Sequence, residues 1–106
     1  MRNLDYLLVE SVTLADANLD TTFNMRGKYG TLAYSWSGAD ATDAVLTLYA
    51  VCGSVDGVTL TDAITIGAAT GEGLIAIDTP LDGMRFTYTA NANTAGTLLF
   101  EVLGED

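Results

Sequence analysis

The stretch TLAYSWS at residues 31–37 alternates strictly between large apolar side chains and small or polar ones. In an extended chain, Leu32, Tyr34 and Trp36 fall on one side and the residues between them on the other. An alternation of period two predicts a half-buried β-strand, here with an aromatic inner face. Trp36 is therefore expected to pack in a core, and an exposed ring that binds sugar is the alternative.

Similar short runs recur on both sides of this stretch, and Gly, Asp and Asn separate them. Residues 84–90 and 98–103 alternate in the same way, whereas residues 44–52 are apolar on both faces, as in a central or a covered strand. The dipeptide at residues 56–57, Asp-Gly, predicts a hairpin turn. About eight short strands with regular turn signals predict an all-β fold, a single antiparallel β-sandwich or jelly-roll-like domain.

The length of 106 residues suits one domain. Residues 21–106 carry enough strand signals for a closed sandwich, so residues 1–20 are either a first strand or an N-terminal arm. Residues 6–9 of that segment form an apolar patch that an arm would bury on a neighbouring subunit. Both interpretations are open at this stage.

The composition excludes most catalytic and metal-binding chemistry. Histidine, the commonest general base and metal ligand, is absent, and the single Cys52 allows neither an internal disulfide nor structural zinc. Carboxylate pairs such as Asp40 with Asp43, or Asp16 with Asp20, lie in loop-like segments where solvation is expected, with Ca²⁺ binding as the alternative. We therefore predict no enzyme activity, no cofactor, and no catalytic or metal-binding residues.

The net charge of −10 comes from 14 acidic and 4 basic residues. Nucleic acids and anionic membranes attract Lys- and Arg-rich surfaces, so we expect neither as a partner. Such a charge favours solubility, or a basic protein surface as partner. Asp5 and Glu10 interrupt any signal-peptide core, and no stretch has the apolar length of a membrane span, so assembly in a cytoplasm is expected.

Several apolar residues fall at positions that an isolated sandwich would keep polar. Exposed apolar patches usually mark interfaces, which predicts a homo-oligomer, with a trimer favoured, or docking on a larger assembly. The predicted interface residues are Tyr6, Leu7, Leu8, Val9, Val45, Val51, Leu99 and Leu103.

Five stretches follow one another in a recognisable order: GKYG at 27–30, ATD at 41–43 leading into LTLY at 46–49, SVDGVT at 54–59, MRFTYT at 84–89 and TAGTL at 94–98. In this order the chain resembles the small β-sandwich virion structural proteins of tailed bacteriophages. Leu60 is a departure, because many such chains have Trp soon after the Asp-Gly turn. The resemblance implies a sandwich that acts by packing and adhesion, and it transfers no catalytic residue.

The function implied by this resemblance is non-enzymatic and structural. It is that of a capsid decoration (cement) protein, which would bind the major capsid protein and stabilise the head by linkage to the assembled state. The expected location is the virion, after assembly in the host cytoplasm. A neck, tail-tube or fibre component is the first alternative, and a carbohydrate-binding β-sandwich module is the second.

Overall fold

A computed structural model of the chain describes residues 4–16, 18–25 and 29–105. Within these residues the chain forms nine β-strands and no helix, which confirms the all-β prediction with one strand more than the approximate count. The strands are β1 (Leu4–Thr13), β2 (Asn18–Asn24), β3 (Tyr29–Ser37), β4 (Ala44–Cys52), β5 (Val55–Thr59), β6 (Ile64–Ile66), β7 (Gly71–Ile77), β8 (Gly83–Thr89) and β9 (Thr97–Glu105).

The strands form two antiparallel sheets, which confirms the sandwich. The four-stranded sheet has the order β1-β9-β3-β7. The five-stranded sheet has the order β2-β8-β4-β5, and the short β6 also pairs with β4. β4, the strand that is apolar on both faces, is central as expected, because β8 lies on one side of it and β5 and β6 on the other.

The core lies between the sheets and consists of the alternate residues that the sequence pattern selects. Its centre is a cluster of three aromatic rings, Phe23 and Phe86 from the five-stranded sheet and Phe100 from the four-stranded sheet. Their centroids are 5.2–6.2 Å apart. Burial of each large apolar side chain contributes roughly 1.5–3 kcal/mol. Other buried core residues are Leu14, Leu32, Leu46, Leu48, Ile66, Met84, Tyr88, Leu98 and Val102.

The hairpin turn lies earlier than the Asp-Gly dipeptide predicts. Cys52 pairs with Val55, so the turn between β4 and β5 is made by Gly53 and Ser54. Gly53 has φ of +60°, in the left-handed region that side chains disfavour. Residues 56–57 lie within β5 instead. The prediction was wrong because the glycine that can adopt the turn geometry comes first.

The N-terminal segment contributes one edge strand to each sheet. β1 pairs antiparallel with β9 from Leu4 to Thr13, with a bulge between Tyr6 and Leu8. The chain then crosses to the other sheet, where β2 pairs with β8. Leu14, at the crossing, is fully buried.

Candidate interaction surface

The outer face of the four-stranded sheet is recessed. Two adjoining depressions of about 680 and 410 Å³ lie across β9, β3 and β7. Both are lined by Ser35, Glu72 and Leu99. Leu74 and Glu101 also line the smaller one. We call this face, defined by Ser35, Glu72, Leu74, Leu99, Glu101 and Leu103, the outer groove.

The outer groove combines exposed apolar side chains with carboxylates. Leu74 is 75% exposed and Leu103 is 39% exposed, values that are high for residues of this size. Glu72 and Glu101 lie among them on the same face. Of the four basic residues, the only one whose side chain is described, Arg85, belongs to the other sheet. The groove therefore suits a partner that presents apolar side chains next to Lys or Arg.

The structure separates the predicted interface residues into different surfaces. Leu99 lines both depressions of the outer groove, and Leu103 lies on the same face of β9 beyond them. Val45 and Val51 are half-buried on the outer face of the five-stranded sheet, where they pair with Thr89 and Gly83 on the opposite side of the molecule. Residues 6–9 follow β1 beside β9, and the side chains of Tyr6, Leu7, Leu8 and Val9 lie outside the described part of the structure.

Leu74, Glu72 and Glu101 were missed as site residues by reasoning from the sequence. The run at residues 74–77, LIAI, predicts a strand, and its alternation places Ile75 and Ile77 inside and Leu74 outside. That signal was available for Leu74. Nothing in the sequence shows that β7 lies close to Glu101 of β9 across β3, because the strand order brings them together.

The aromatic pair of β3 lies on the inner side of the same sheet. The rings of Tyr34 and Trp36 are stacked, with centroids 6.3 Å apart and planes 3° apart. Both residues are partly buried and pack against the core, which is the side that the alternation predicts. The Trp36 indole N–H donates to the carbonyl of Ala68 at 3.0 Å. Trp36 and Tyr34 also border the two depressions, but their rings pack against the core over Gly71 and Gly73, so they form no aromatic platform on the outer face.

On the outer face of the five-stranded sheet, Arg85 forms a two-pronged ion pair with Asp20. Its Nε and Nη2 atoms donate to the two carboxylate oxygens at 2.8 and 3.1 Å. The guanidinium carbon lies 4.9 Å from the ring centroid of Tyr49. The hydrogen bond from Arg85 lowers the pKa of the Asp20 carboxyl. The ion pair of Arg85 thus forms within the chain, and no other basic side chain is described on the surface.

The loop carboxylates bind backbone groups. Asp40 accepts hydrogen bonds from the Thr94 amide at 2.7 Å and from the Thr94 hydroxyl. Asp43 accepts one from the Ala92 amide at 3.2 Å. Across residues 4–16, 18–25 and 29–105 no group of three or more Cys, Asp or Glu side chains is placed to hold a metal ion. The same residues contain no helix with the length and apolar character of a membrane span.

Acid is expected to destabilise the fold through Asp40 and Asp20. Hydrogen bonds from Thr94 lower the pKa of Asp40, and Arg85 lowers that of Asp20, both from an ordinary value of 3.8. A carboxyl group whose pKa is lower in the folded state than in the unfolded state stabilises the fold at pH values above its unfolded-state pKa. That stabilisation is lost as the pH falls through its folded-state pKa. The urea concentration at the midpoint of denaturation should therefore stay constant from pH 7 to about pH 5 and decrease at pH values below about 4.

The matched variants for this prediction are Asp40→Asn and Asp62→Asn. Asp40→Asn should reduce the drop in midpoint between pH 5 and pH 3, because it removes one of the two responsible carboxylates. Asp62, an exposed loop residue, controls for the loss of one negative charge. An acid-induced drop of equal size in Asp40→Asn and in the unmodified chain would contradict the assignment.

Comparisons with known proteins show the fold and no family. No family model and no curated protein matches the chain. A solved structure from work on Bacillus endospore appendages, described as disulfide-linked pili, matches with a TM-score of 0.55 and 13% identity over 99% of this chain and 90% of the other. A family 4 carbohydrate-binding module matches with a TM-score of 0.51 and 14% identity over 99% and 78%.

A third match is the VP2 subviral particle of infectious bursal disease virus. It has a TM-score of 0.50 and 12% identity over 91% of this chain and 32% of the viral chain. Identities this low establish a shared β-rich fold and nothing finer. The fold is thus one that occurs in a pilus, a carbohydrate-binding module and a viral capsid. None of these matches connects the chain with decoration proteins of tailed bacteriophages.

Proposed function

We propose that the chain is a non-enzymatic structural protein of a bacteriophage virion, and specifically a capsid decoration protein that binds major capsid subunits through the outer groove. The observation that carries the proposal is the exposure of Leu74 and Leu103 beside Glu72 and Glu101. Exposed apolar faces on small domains usually mark docking surfaces. Further support is that the fold is shared with a pilus and with a viral capsid protein.

The proposed mechanism is stabilisation by linkage. A protein that binds the assembled capsid and not its free subunits shifts the equilibrium toward the assembled state. The rigid sandwich presents the groove ready-formed, so little ordering cost accompanies binding. Leu99 and Leu103 would bury apolar area on the capsid. Glu72 and Glu101 would face basic side chains and make the association rate depend on salt.

Leu103→Lys is expected to weaken binding to virion heads at least about tenfold, equal to about 1.4 kcal/mol. The substitution replaces an apolar contact by a cation that a basic partner repels. Because Leu103 is 39% exposed, the free energy of unfolding should change little. The measurement is co-sedimentation of the purified protein with heads that lack it, over a range of protein concentrations.

Val58→Lys is the matched control, because Val58 is 59% exposed and lies on β5 in the other sheet. It should bind heads like the unmodified chain. Equal losses for both variants would remove the outer groove from the proposal. Failure of the unmodified chain to bind heads at all would overturn decoration as the function.

A neck, tail-tube or fibre position is the first alternative within the virion. The outer groove could bind a neighbouring protein at that position as well, so it does not discriminate between this alternative and capsid decoration. Copy number does, because a decoration protein is present in numbers comparable to the major capsid protein. Quantitative mass spectrometry of purified particles would separate the two locations.

Carbohydrate binding is the second candidate, favoured by the fold likeness to a carbohydrate-binding module and by the groove on a sheet face. Against it, Tyr34 and Trp36 lie on the inner side of the sheet, so sugar contacts would depend on polar groups such as Ser35 and Glu101. A glycan array probed with labelled protein tests this candidate. Saturable binding that Glu101→Gln abolishes would support it over decoration.

A further inference from the structure

β7 is an edge strand of the four-stranded sheet in the described part of the chain. It pairs with β3 on one side, and no other described strand pairs with its second side. Edge strands are commonly protected from pairing with other chains by Lys, Pro, a bulge or short length. β7 has seven residues, and Glu72 is its one charged residue; it contains neither Lys nor Pro, and its register with β3 is unbroken. Its outer edge thus presents backbone N–H and C=O groups that another strand can bind.

Leu74 is the middle residue of this edge strand, with three residues of β7 on each side. At 75% exposure it is the most exposed large apolar side chain among the residues described. Glu72 and Ala76 lie on the same outer face, two positions before and after it. Gly73 and Ile75 point inward.

We propose that β7 pairs antiparallel with β7 of a second copy of this chain, about a two-fold axis that passes beside Leu74. Full overlap of residues 71–77 with the same residues of the copy places Leu74 opposite Leu74. The same register places Glu72 opposite Ala76 and Gly73 opposite Ile75. The two exposed leucines bury each other, no carboxylate faces another directly, and a glycine faces each isoleucine.

The pairing joins two four-stranded sheets into one sheet of eight strands and places two outer grooves side by side. Both copies carry a charge of −10, so their repulsion opposes the contact and salt should strengthen it. The inference does not depend on particle binding. If decoration is correct, the paired grooves would add avidity.

The other edge of the same sheet, β1, is a less suitable partner for β7. Its pairing with β9 is broken by the bulge between Tyr6 and Leu8, a feature that turns edges away from pairing. A contact between β7 and β1 of another copy joins unlike surfaces, and it would produce a ring or a filament. The trimer expected from the sequence would need a contact of that kind.

Disulfide trapping tests the two-fold register. In a Cys52→Ser background, Leu74→Cys places two thiols on directly opposite residues, with Cα atoms roughly 4.5–5.5 Å apart, within reach of a disulfide. Ala76→Cys is the control on the same exposed face. In the proposed register its two copies are about 14 Å apart and outside that reach. Mild oxidation at micromolar concentration should give a covalent dimer of Leu74→Cys at least tenfold faster than of Ala76→Cys.

Sedimentation equilibrium at several salt concentrations supplies the second readout. The unmodified chain should form a dimer, and Leu74→Lys should raise the dimer dissociation constant at least tenfold while the circular dichroism spectrum of the folded chain stays unchanged. Leu103→Lys and Val58→Lys should dimerise normally, so failure of this contact and failure of particle binding are distinguishable. A monomer at 100 micromolar, or equal trapping of both cysteine variants, would overturn the proposal. A trimer without Leu74 trapping would overturn it in favour of pairing between β7 and β1.

Discussion

Asn93→Leu is expected to lower the free energy of unfolding by about 3–4 kcal/mol, a large loss for a loop residue. Asn93 is 2% exposed, and its amide lies at the centre of a buried polar network. Its Nδ2 group, which has two hydrogens, lies within hydrogen-bond distance of three acceptors: the carbonyl oxygens of Leu14 at 3.1 Å and Ala95 at 2.8 Å, and the Tyr88 hydroxyl at 2.9 Å. Its Oδ1 atom accepts from the Asp40 amide at 3.0 Å.

The network matters because it joins both sheets at one point. Leu14 lies where the chain crosses from β1 to β2, Tyr88 lies on β8, and Ala95 precedes β9. The Tyr88 hydroxyl also donates to the Leu14 carbonyl at 2.9 Å. A leucine at position 93 would fill the space and leave the partly buried Ala95 carbonyl and Asp40 amide without this partner. An unpaired buried group costs about 1–3 kcal/mol.

Urea denaturation measures this loss, with Asn91→Gly as the control. Asn91 is exposed, has φ of +50° and donates one hydrogen bond to the Asp43 carbonyl, so glycine keeps its backbone geometry. Asn91→Gly should lower the free energy of unfolding by about 1 kcal/mol or less. A loss under about 1 kcal/mol for Asn93→Leu as well would show that the network contributes little to stability.

Ionisation of Tyr88, a member of the same network, is expected to destabilise the fold at alkaline pH. Burial raises the pKa of the Tyr88 phenol above its ordinary value of 10.0. A phenol whose pKa is higher in the folded state than in the unfolded state stabilises the fold fully at pH values below its unfolded-state pKa. That stabilisation is lost as the pH rises through its folded-state pKa. Loss of this hydroxyl in Tyr88→Phe should remove that contribution and cost about 1–2 kcal/mol at neutral pH.

Gly71→Ala is expected to cost about 2–3 kcal/mol, although it adds one methyl group. A Cβ atom at position 71 would lie 2.1 Å from Cζ2 of Trp36, because the indole ring covers this glycine. Gly73 lies in the same way beneath Tyr34. The stacked rings and the hydrogen bond from Trp36 to Ala68 restrict the movement that would relieve the clash.

A double-mutant cycle checks that the cost comes from this contact. Trp36→Ala alone should cost about 3 kcal/mol, at the low end for a large aromatic residue because the ring is only partly buried. With Trp36 removed, Gly71→Ala should cost close to nothing, so the two effects should be strongly non-additive. Gly57→Ala, another strand glycine with nothing within 4 Å of the added atom, is the control. Additive losses would contradict the packing of Trp36 over Gly71.

The sequence alone determined the fold class and much of the core. The alternation over residues 31–37 placed Leu32, Tyr34 and Trp36 inward, and the alternation at residues 98–102 placed Leu98 and Phe100 inward; the structure confirms both. These predictions succeed because the side-chain period of a strand is a local property, and burial of one face selects it.

Tertiary structure alone decided the candidate surfaces. Val45 and Leu99 look equivalent in the sequence, yet they lie on opposite faces of the molecule because their strands belong to different sheets. Asn93 reads as an ordinary turn residue, and Leu74 as an ordinary strand residue. Burial of the first, and exposure of the second on a free edge, follow from strand order. Strand order depends on contacts between residues that are distant along the chain, and no local pattern encodes them.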